Sequence, residues 1–228
     1  MQVVCKTKSA WYNGRVPMRT YGQYCGFSRA LEILGERWAF LVVRDLLIGP
    51  KRFSDLERGL PGIPTNILTS RLKELEEAGI VRRRAMPRPP GGVAYELTDQ
   101  GKELEGPVIA LGRWGAKRLG DPRPGEVVTN DSMASALMTT FRPEAAGRAN
   151  VKYELHLGDV VVHAHVRGGS VTVGAGPIEA PDLVVDAGPQ LRQVMAREIS
   201  PEEALKKKLV RIQGDPKLFK RFTEFFQI

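Results

Sequence analysis

The chain has 228 residues, 42% of them hydrophobic and 26% charged, the balance of a folded protein with room for one large or two modest cores. No apolar run approaches the ~20 residues that cross a bilayer, and no apolar stretch follows the first lysines, so neither membrane insertion nor a secretory leader is expected. The formal net charge of +8 is unevenly placed: residues 1–120 carry 20 Lys/Arg against 12 Asp/Glu, while residues 121–228 carry 14 of each. A polyanion-binding module in the first half requires that asymmetry. Two cysteines in a chain without a leader do not make a disulfide framework and fit a reducing compartment, the cytoplasm.

In chain order, residues 1–20 read as an N-terminal arm carrying Lys6, Lys8, Arg15 and Arg19, with Met18 as an alternative start. From Phe27 to Ile48 the apolar positions Ala30, Leu31, Leu34, Trp38, Leu41, Val42 and Leu46 follow a helical period, broken at Gly35 and ended by Gly49-Pro50. Phe53 to Leu60 is a short supporting helix, and Leu60-Pro-Gly-Ile63 is a turn. A helix read from Pro64, its first turn, then stacks Leu68, Leu72 and Leu75 on one face, and Gly79 supplies a left-handed stop. Its other face shows Thr65, Asn66, Thr69, Ser70 and Lys73. Val81-Arg-Arg-Arg-Ala-Met86 and Val93 to Leu97 read as two strands around a Pro/Gly-rich tip. A helix followed by a basic hairpin is the pattern of a winged helix-turn-helix, in which the helix enters the DNA major groove.

After Thr98-Asp-Gln-Gly101 a further helix carries Leu104, Val108, Leu111, Trp114 and Leu119 as an apolar seam, suited to pairing with a second copy. A homodimer is the economical expectation, because operators read by such proteins are usually two half-sites one turn apart. Asp121-Pro-Arg-Pro-Gly-Glu126 marks a linker, taken as 121–130. Beyond it Ser132–Phe141 is helical, and Val151–Leu157 and Val160–Val166 alternate around a Gly158-Asp159 turn. That register puts Val151, Tyr153, Leu155, Leu157, Val160, Val162, Ala164 and Val166 on one face. Strands at 170–175, 183–186 and 209–212 and helices at 190–198, 201–207 and 216–226 complete an α+β domain with helices on the apolar face of its sheet.

The candidate chemistry is recognition rather than catalysis. Thr65, Asn66, Thr69 and Ser70 carry amide and hydroxyl groups that can read base edges. Lys73, Arg82, Arg84 and Arg88 are candidates for phosphate contacts, with Lys51 and Arg52 at the start of the supporting helix. Strand alternation sends Arg83 to the face opposite Arg82 and Arg84. Arg71 can serve DNA or pair with Glu74 or Glu76. Cys25 invites a redox-switch reading if its thiol is exposed and acidic, and a packing role otherwise. His156, His163 and His165 with Glu154 lack a fourth ligand, so no metal site is assigned. Gly174-Ala-Gly176 reads as a turn, and no nucleophile–base pattern or cofactor motif is present, so an enzyme is not expected.

Residues 23–118 resemble the HxlR-type winged-helix regulators, a bacterial group related to MarR. The resemblance rests on Arg29-Ala-Leu-Glu-Ile-Leu-Gly-Glu-Arg-Trp38, Arg44–Pro50, Arg52-Phe-Ser-Asp-Leu56, Leu60–Ile63, Leu68–Ile80 and Tyr95-Glu-Leu-Thr-Asp-Gln-Gly101. Two positions depart from it: Cys25 is followed by Gly26 where the family often has proline, and Arg37 stands where lysine is usual. The resemblance implies a dimeric transcriptional regulator acting on double-stranded DNA, some members of which sense oxidants through a cysteine at the position of Cys25. Residues 132–228 resemble a sterol-carrier-protein type 2 domain through Pro181-Asp-Leu-Val-Val-Asp186, Gln190–Met195, Pro201-Glu-Glu-Ala-Leu205 and Leu209–Asp215. That second resemblance implies an apolar or lipid-like ligand. The expected whole is a mainly α winged helix-turn-helix domain (21–120) followed by an α+β sterol-carrier-like domain (131–228), a repressor with an effector-sensing domain. A lipid-binding or carrier protein with a basic interaction domain is the reading from another class.

Overall fold

The computed structural model describes residues 20–87, 91–120 and 122–228. Among these described residues, six helices and a two-stranded hairpin make the first half. They are α1 (Gly26–Leu34), α2 (Ala39–Ile48), α3 (Phe53–Gly59), α4 (Thr65–Glu77), β1 (Val81–Ala85), β2 (Val93–Leu97), α5 (Asp99–Lys102) and α6 (Glu105–Ala116). The apolar period of α4 closes the core as the spacing predicts: Leu68, Leu72 and Leu75 are buried against Val42, Val43, Leu46 and Leu56. Each such leucine contributes about 2 kcal/mol of transfer free energy. Pro64 differs from the expected first helical turn and sits one position earlier, as the extended N-cap residue (φ −66°, ψ 138°). Gly79 adopts φ +74° and ends the helix. Thr98 then ties helix to hairpin, its hydroxyl donating to the Gly79 carbonyl at 2.6 Å and accepting from the Gly101 amide at 3.0 Å.

The second half contains α7 (Asn130–Thr140), α8 (Pro143–Ala146), β3 (Asn150–Leu157), β4 (Val160–Arg167), β5 (Ser170–Ala175), β6 (Leu183–Ala187), α9 (Leu191–Met195), α10 (Pro201–Lys206), β7 (Val210–Gly214) and α11 (Pro216–Phe225). The sheet order is β5-β4-β3-β6-β7, antiparallel except for the β3/β6 pair. The hairpin register pairs Tyr153 with Ala164 and Glu154 with His163, so the expected apolar face is the buried one. Helix α7 covers the β4/β5 side and α11 the β6/β7 side. Between sheet and α11, Tyr153, Phe219, Phe222, Phe225 and Phe226 are fully buried with ring centroids 4.8 to 6.4 Å apart, an interior filled by aromatic side chains. The region expected as one helix at 190–198 is helical only over α9, which ends in a turn with Arg197 at φ +59°.

Helix α7 also packs against α2, α3 and α6. Gly112 of α6 makes the close approach possible, since a Cβ there would lie 2.6 Å from Thr139 Cγ2. The expected seam of α6 therefore divides. Val108 is buried in the first core, whereas Leu111, Trp114 and Leu119 are more than half exposed. Ile109 and Arg113, outside the seam, line the side toward α7 and β5. No helix among the described residues is long and apolar enough to cross a membrane.

Candidate nucleic-acid interface

Helix α4 holds its inner leucines at 0 to 2% exposure and, half a turn round, presents Thr65, Asn66, Thr69, Ser70 and Lys73 to solvent. Two of these groups are engaged locally. Thr65 donates its hydroxyl to Glu57 at 2.7 Å, tying α4 to α3, and Thr69 donates to the Thr65 carbonyl at 2.8 Å. Both oxygens keep lone pairs for acceptance. Asn66, Ser70 and Lys73 lie at i, i+4, i+7 and make no hydrogen bond or ion pair within the described residues. They form a continuous polar stripe with unused donors and acceptors. Arg71 is turned away from that stripe, pairing with Glu74 at 2.6 Å and reaching Glu36 of the α1–α2 connection at 3.8 Å, with only 13% of its side chain exposed.

In the wing, alternation separates the arginines as expected. Arg82 and Arg84 share Glu96 of the neighbouring strand at 2.8 and 3.2 Å. The Arg82 hydrogen bond, with Arg84 behind it, holds the Glu96 carboxyl below the usual carboxylate range despite some desolvation. Two guanidinium groups against one carboxylate leave that face cationic, and each remains more than half exposed. Arg83, on the other face, pairs with Glu76 of α4 at 3.3 Å and lies over the Tyr95 ring, joining wing to helix. Arg88 lies outside the described residues.

Lys51 and Arg52 are placed differently from the other cations. Lys51 exchanges two backbone hydrogen bonds with Tyr95, an isolated antiparallel bridge to the wing, and its ammonium pairs with Asp131 of α7 at 2.5 Å with 13% of the side chain exposed. Arg52 donates to the Gly91 carbonyl at the wing tip at 2.6 Å. Both residues position the wing. Beside Lys51 lies Asp45, wholly buried, which accepts from Arg44 at 2.7 Å while its other oxygen has no partner among the described residues. Burial pushes the Asp45 carboxyl up to about 6, against the pull of Arg44. This buried cluster joins the halves of the molecule, and its members are too far apart in sequence for any local pattern to signal it.

Cys25 is the N-cap residue of α1 and is exposed. The backbone N–H groups of Ser28 and Phe27 lower its thiol below the ordinary cysteine value. The sheet histidines are engaged separately: His156 with Glu154 at 2.7 Å, His163 with the Gly176 carbonyl at 2.9 Å, and His165 with Asn150 at 2.8 Å. Among the described residues no group of three metal-ligating side chains converges. Gly174 and Ala175 end β5, and Gly176 follows at φ +85°.

A helix with an open polar face, a supporting helix and a basic two-stranded wing define a winged helix-turn-helix module of the DNA-reading class. The sequence matches the HxlR-like helix-turn-helix family over residues 33–122. It is 41% identical over 96 residues, 42% of this chain and 88% of the relative, to the uncharacterized HTH-type transcriptional regulator YvaP of Bacillus subtilis. It is 42% identical over 96 residues to the regulator Rv3095 of Mycobacterium tuberculosis, 59% of whose length is spanned. The chain belongs to the HxlR-like helix-turn-helix family of transcriptional regulators. Among solved structures, the redox regulator HypR in its oxidized form is 34% identical over 43% of this chain and 100% of its own, with a TM-score of 0.39.

Proposed function

We propose that the protein is a homodimeric, cytoplasmic transcriptional repressor that reads double-stranded DNA with α4 and grips the flanking backbone with its wing. The observation that carries this reading is the unengaged stripe Asn66, Ser70 and Lys73 beside a wing that keeps excess positive charge. Thr65 and Thr69 extend the base-reading set as acceptors; Lys73, Arg82 and Arg84 supply phosphate contacts, and Arg88 would join them. Lys51 and Arg52 act indirectly, by fixing the wing. The exposed Leu111, Trp114 and Leu119 support dimerisation along α6, which would set the spacing of two reading heads. Residues 21–120 would form the reading domain, 121–130 the connection, and 131–228 a sterol-carrier-like domain that responds to an apolar effector. The five-stranded sheet with helices on its apolar face supports that last assignment.

The experiment is fluorescence anisotropy on duplex DNA taken from the promoter beside the protein's own gene. Asn66→Ala should weaken binding there by about 1–3 kcal/mol while leaving unrelated duplex almost unaffected. Equal losses on both duplexes would remove Asn66 from base reading. A second reading, thiol sensing, is favoured by the exposed, acidified Cys25, and the relative HypR is described as a redox regulator. Mild diamide should then change promoter affinity in the wild type and leave Cys25→Ser unchanged; an identical response in both would end that reading.

A further inference from the structure

We propose that the groove between the two domains, bounded by α2, α6, α7 and β5, is the effector site, and that its ligand is a compact apolar anion. The inference deepens the regulator reading and rests on it for its consequence, whereas ligand binding itself can be measured without DNA.

The usual place for an apolar ligand in the second domain, between sheet and helix, is occupied by Tyr153 and four phenylalanines, all fully buried. A guest there must displace a ring from a close-packed cluster, at a cost of several kcal/mol. The interdomain groove instead offers a cavity of ≈ 400 Å³, within the range of small-molecule sites. Its walls are mixed: Leu47 and Ile48 from the end of α2, Ile109 from α6, Met138 from α7, and Val171 and Val173 from β5 supply an apolar side, and Glu105, Arg113, Ser170 and Thr172 a polar rim. Strand β5 is the edge of the sheet, so one wall borders the groove without a further strand beyond it.

Charge sets the ligand class. Arg113 is in the wall, its Nε donating to the Thr139 carbonyl and its Nη2 to the Phe141 carbonyl, both at 2.8 Å. Those carbonyls fix the direction of the guanidinium without neutralising it, and no carboxylate among the described residues pairs with it. Glu105 shares the wall two turns earlier on α6 and makes no ion pair within the described residues. The exposed guanidinium, oriented by two carbonyls at the end of the groove away from Glu105, matches a carboxylate or sulfonate whose hydrophobic body lies against the apolar side.

The same walls belong to the parts that would position the reading heads. Helix α6 carries the groove on one side and the exposed Leu111 and Trp114 on another. Helix α2 ends at the groove, and the chain beyond it leads to Lys51, which holds Tyr95 of the wing and Asp131 of α7. An occupant between α6 and β5 bears on the Gly112–Thr139 contact and so on both connections. Its effect on DNA affinity is set by the difference in its affinity for the two arrangements.

The test uses the full chain, without DNA, and two fluorescent probes that differ only in charge: anilinonaphthalenesulfonate and its uncharged parent phenylnaphthylamine. The wild type should bind one sulfonate probe per chain, about tenfold or more tighter than the parent. Val173→Trp, which fills the groove from the edge strand, should weaken both probes about tenfold or more. Arg113→Gln should bring the sulfonate down to the affinity of the parent, and Arg113→Lys should restore most of the preference. Unchanged binding of both probes in Val173→Trp, or equal wild-type affinity for the two, would overturn the proposal. Promoter binding by the same preparations separates the two claims. Sound promoter binding with a failed probe result removes only the site; a sound probe result without promoter binding removes the regulator reading and leaves the site.

Discussion

The outer face of α4 and the joint that α7 makes with α6 and with the segment from Lys51 to Gly59 both carry polar side chains, and these are finished in opposite ways. At the joint several polar groups meet partners: Arg113 donates to the Thr139 and Phe141 carbonyls of α7 and its C-cap, Thr129 reaches the Gly59 carbonyl at 3.4 Å, and Lys51 pairs with Asp131. On α4, Asn66, Ser70 and Lys73 are left without partners within the described residues. Matched groups in a buried joint cost stability when one partner is removed. Unmatched groups on an exposed face can be replaced at almost no cost to folding, so their effect should appear only in binding. That contrast separates a structural joint from a recognition surface, although both began as similar residue types.

The joint gives the largest expected effect. Asp131→Ala leaves the Lys51 ammonium mostly buried and unpaired, and should destabilise the protein by about 3 kcal/mol in urea unfolding. The double change Lys51→Met with Asp131→Leu should recover most of that loss. A single-variant cost below about 0.5 kcal/mol would place the pair among ordinary surface ion pairs and weaken the contrast. A second effect comes from Asp45. Its folded-state pKa is raised to about 6, so the stability contributed by the protonated form is present below about pH 4 and is lost as pH rises through 6. Asp45→Asn removes that titration and keeps an acceptor for Arg44. Its stability relative to wild type should therefore rise by about 2 kcal/mol between pH 4 and 7; a difference that stays flat with pH would mean Asp45 titrates as a solvated carboxylate. The smallest effect belongs to α4: Lys73→Ala should leave the melting temperature unchanged and reduce the salt slope of DNA binding by about one.

The parts of this arrangement that repeat at short range were legible in the sequence. The leucine spacing of α4, the opposite facing of Arg83 relative to Arg82 and Arg84, and the apolar side of the β3/β4 hairpin all follow from the periods of helix and strand. What lay beyond reach was partnership across the chain. Lys51 and Arg52 resemble phosphate-binding residues at a helix start, and nothing local announces that one meets Asp131 and the other the carbonyl of Gly91. The seam of α6 shows the same limit: its spacing marks Val108, Leu111 and Trp114 as one stripe, but only the packed neighbours decide that Val108 is covered and the other two are exposed. Proline suits both the N-cap and the first turn, so the sequence places Pro64 only to within one residue, and its extended ψ selects the N-cap.

The most direct measurement is a salt titration of binding to the promoter DNA beside the protein's own gene, set against unrelated duplex of equal length. The account predicts a dimer that prefers the promoter by ~10³ or more at physiological salt, with phosphate contacts making both affinities fall as salt rises. Equal affinity for the two duplexes, lost in parallel with salt, would contradict it and reduce the first domain to a basic surface.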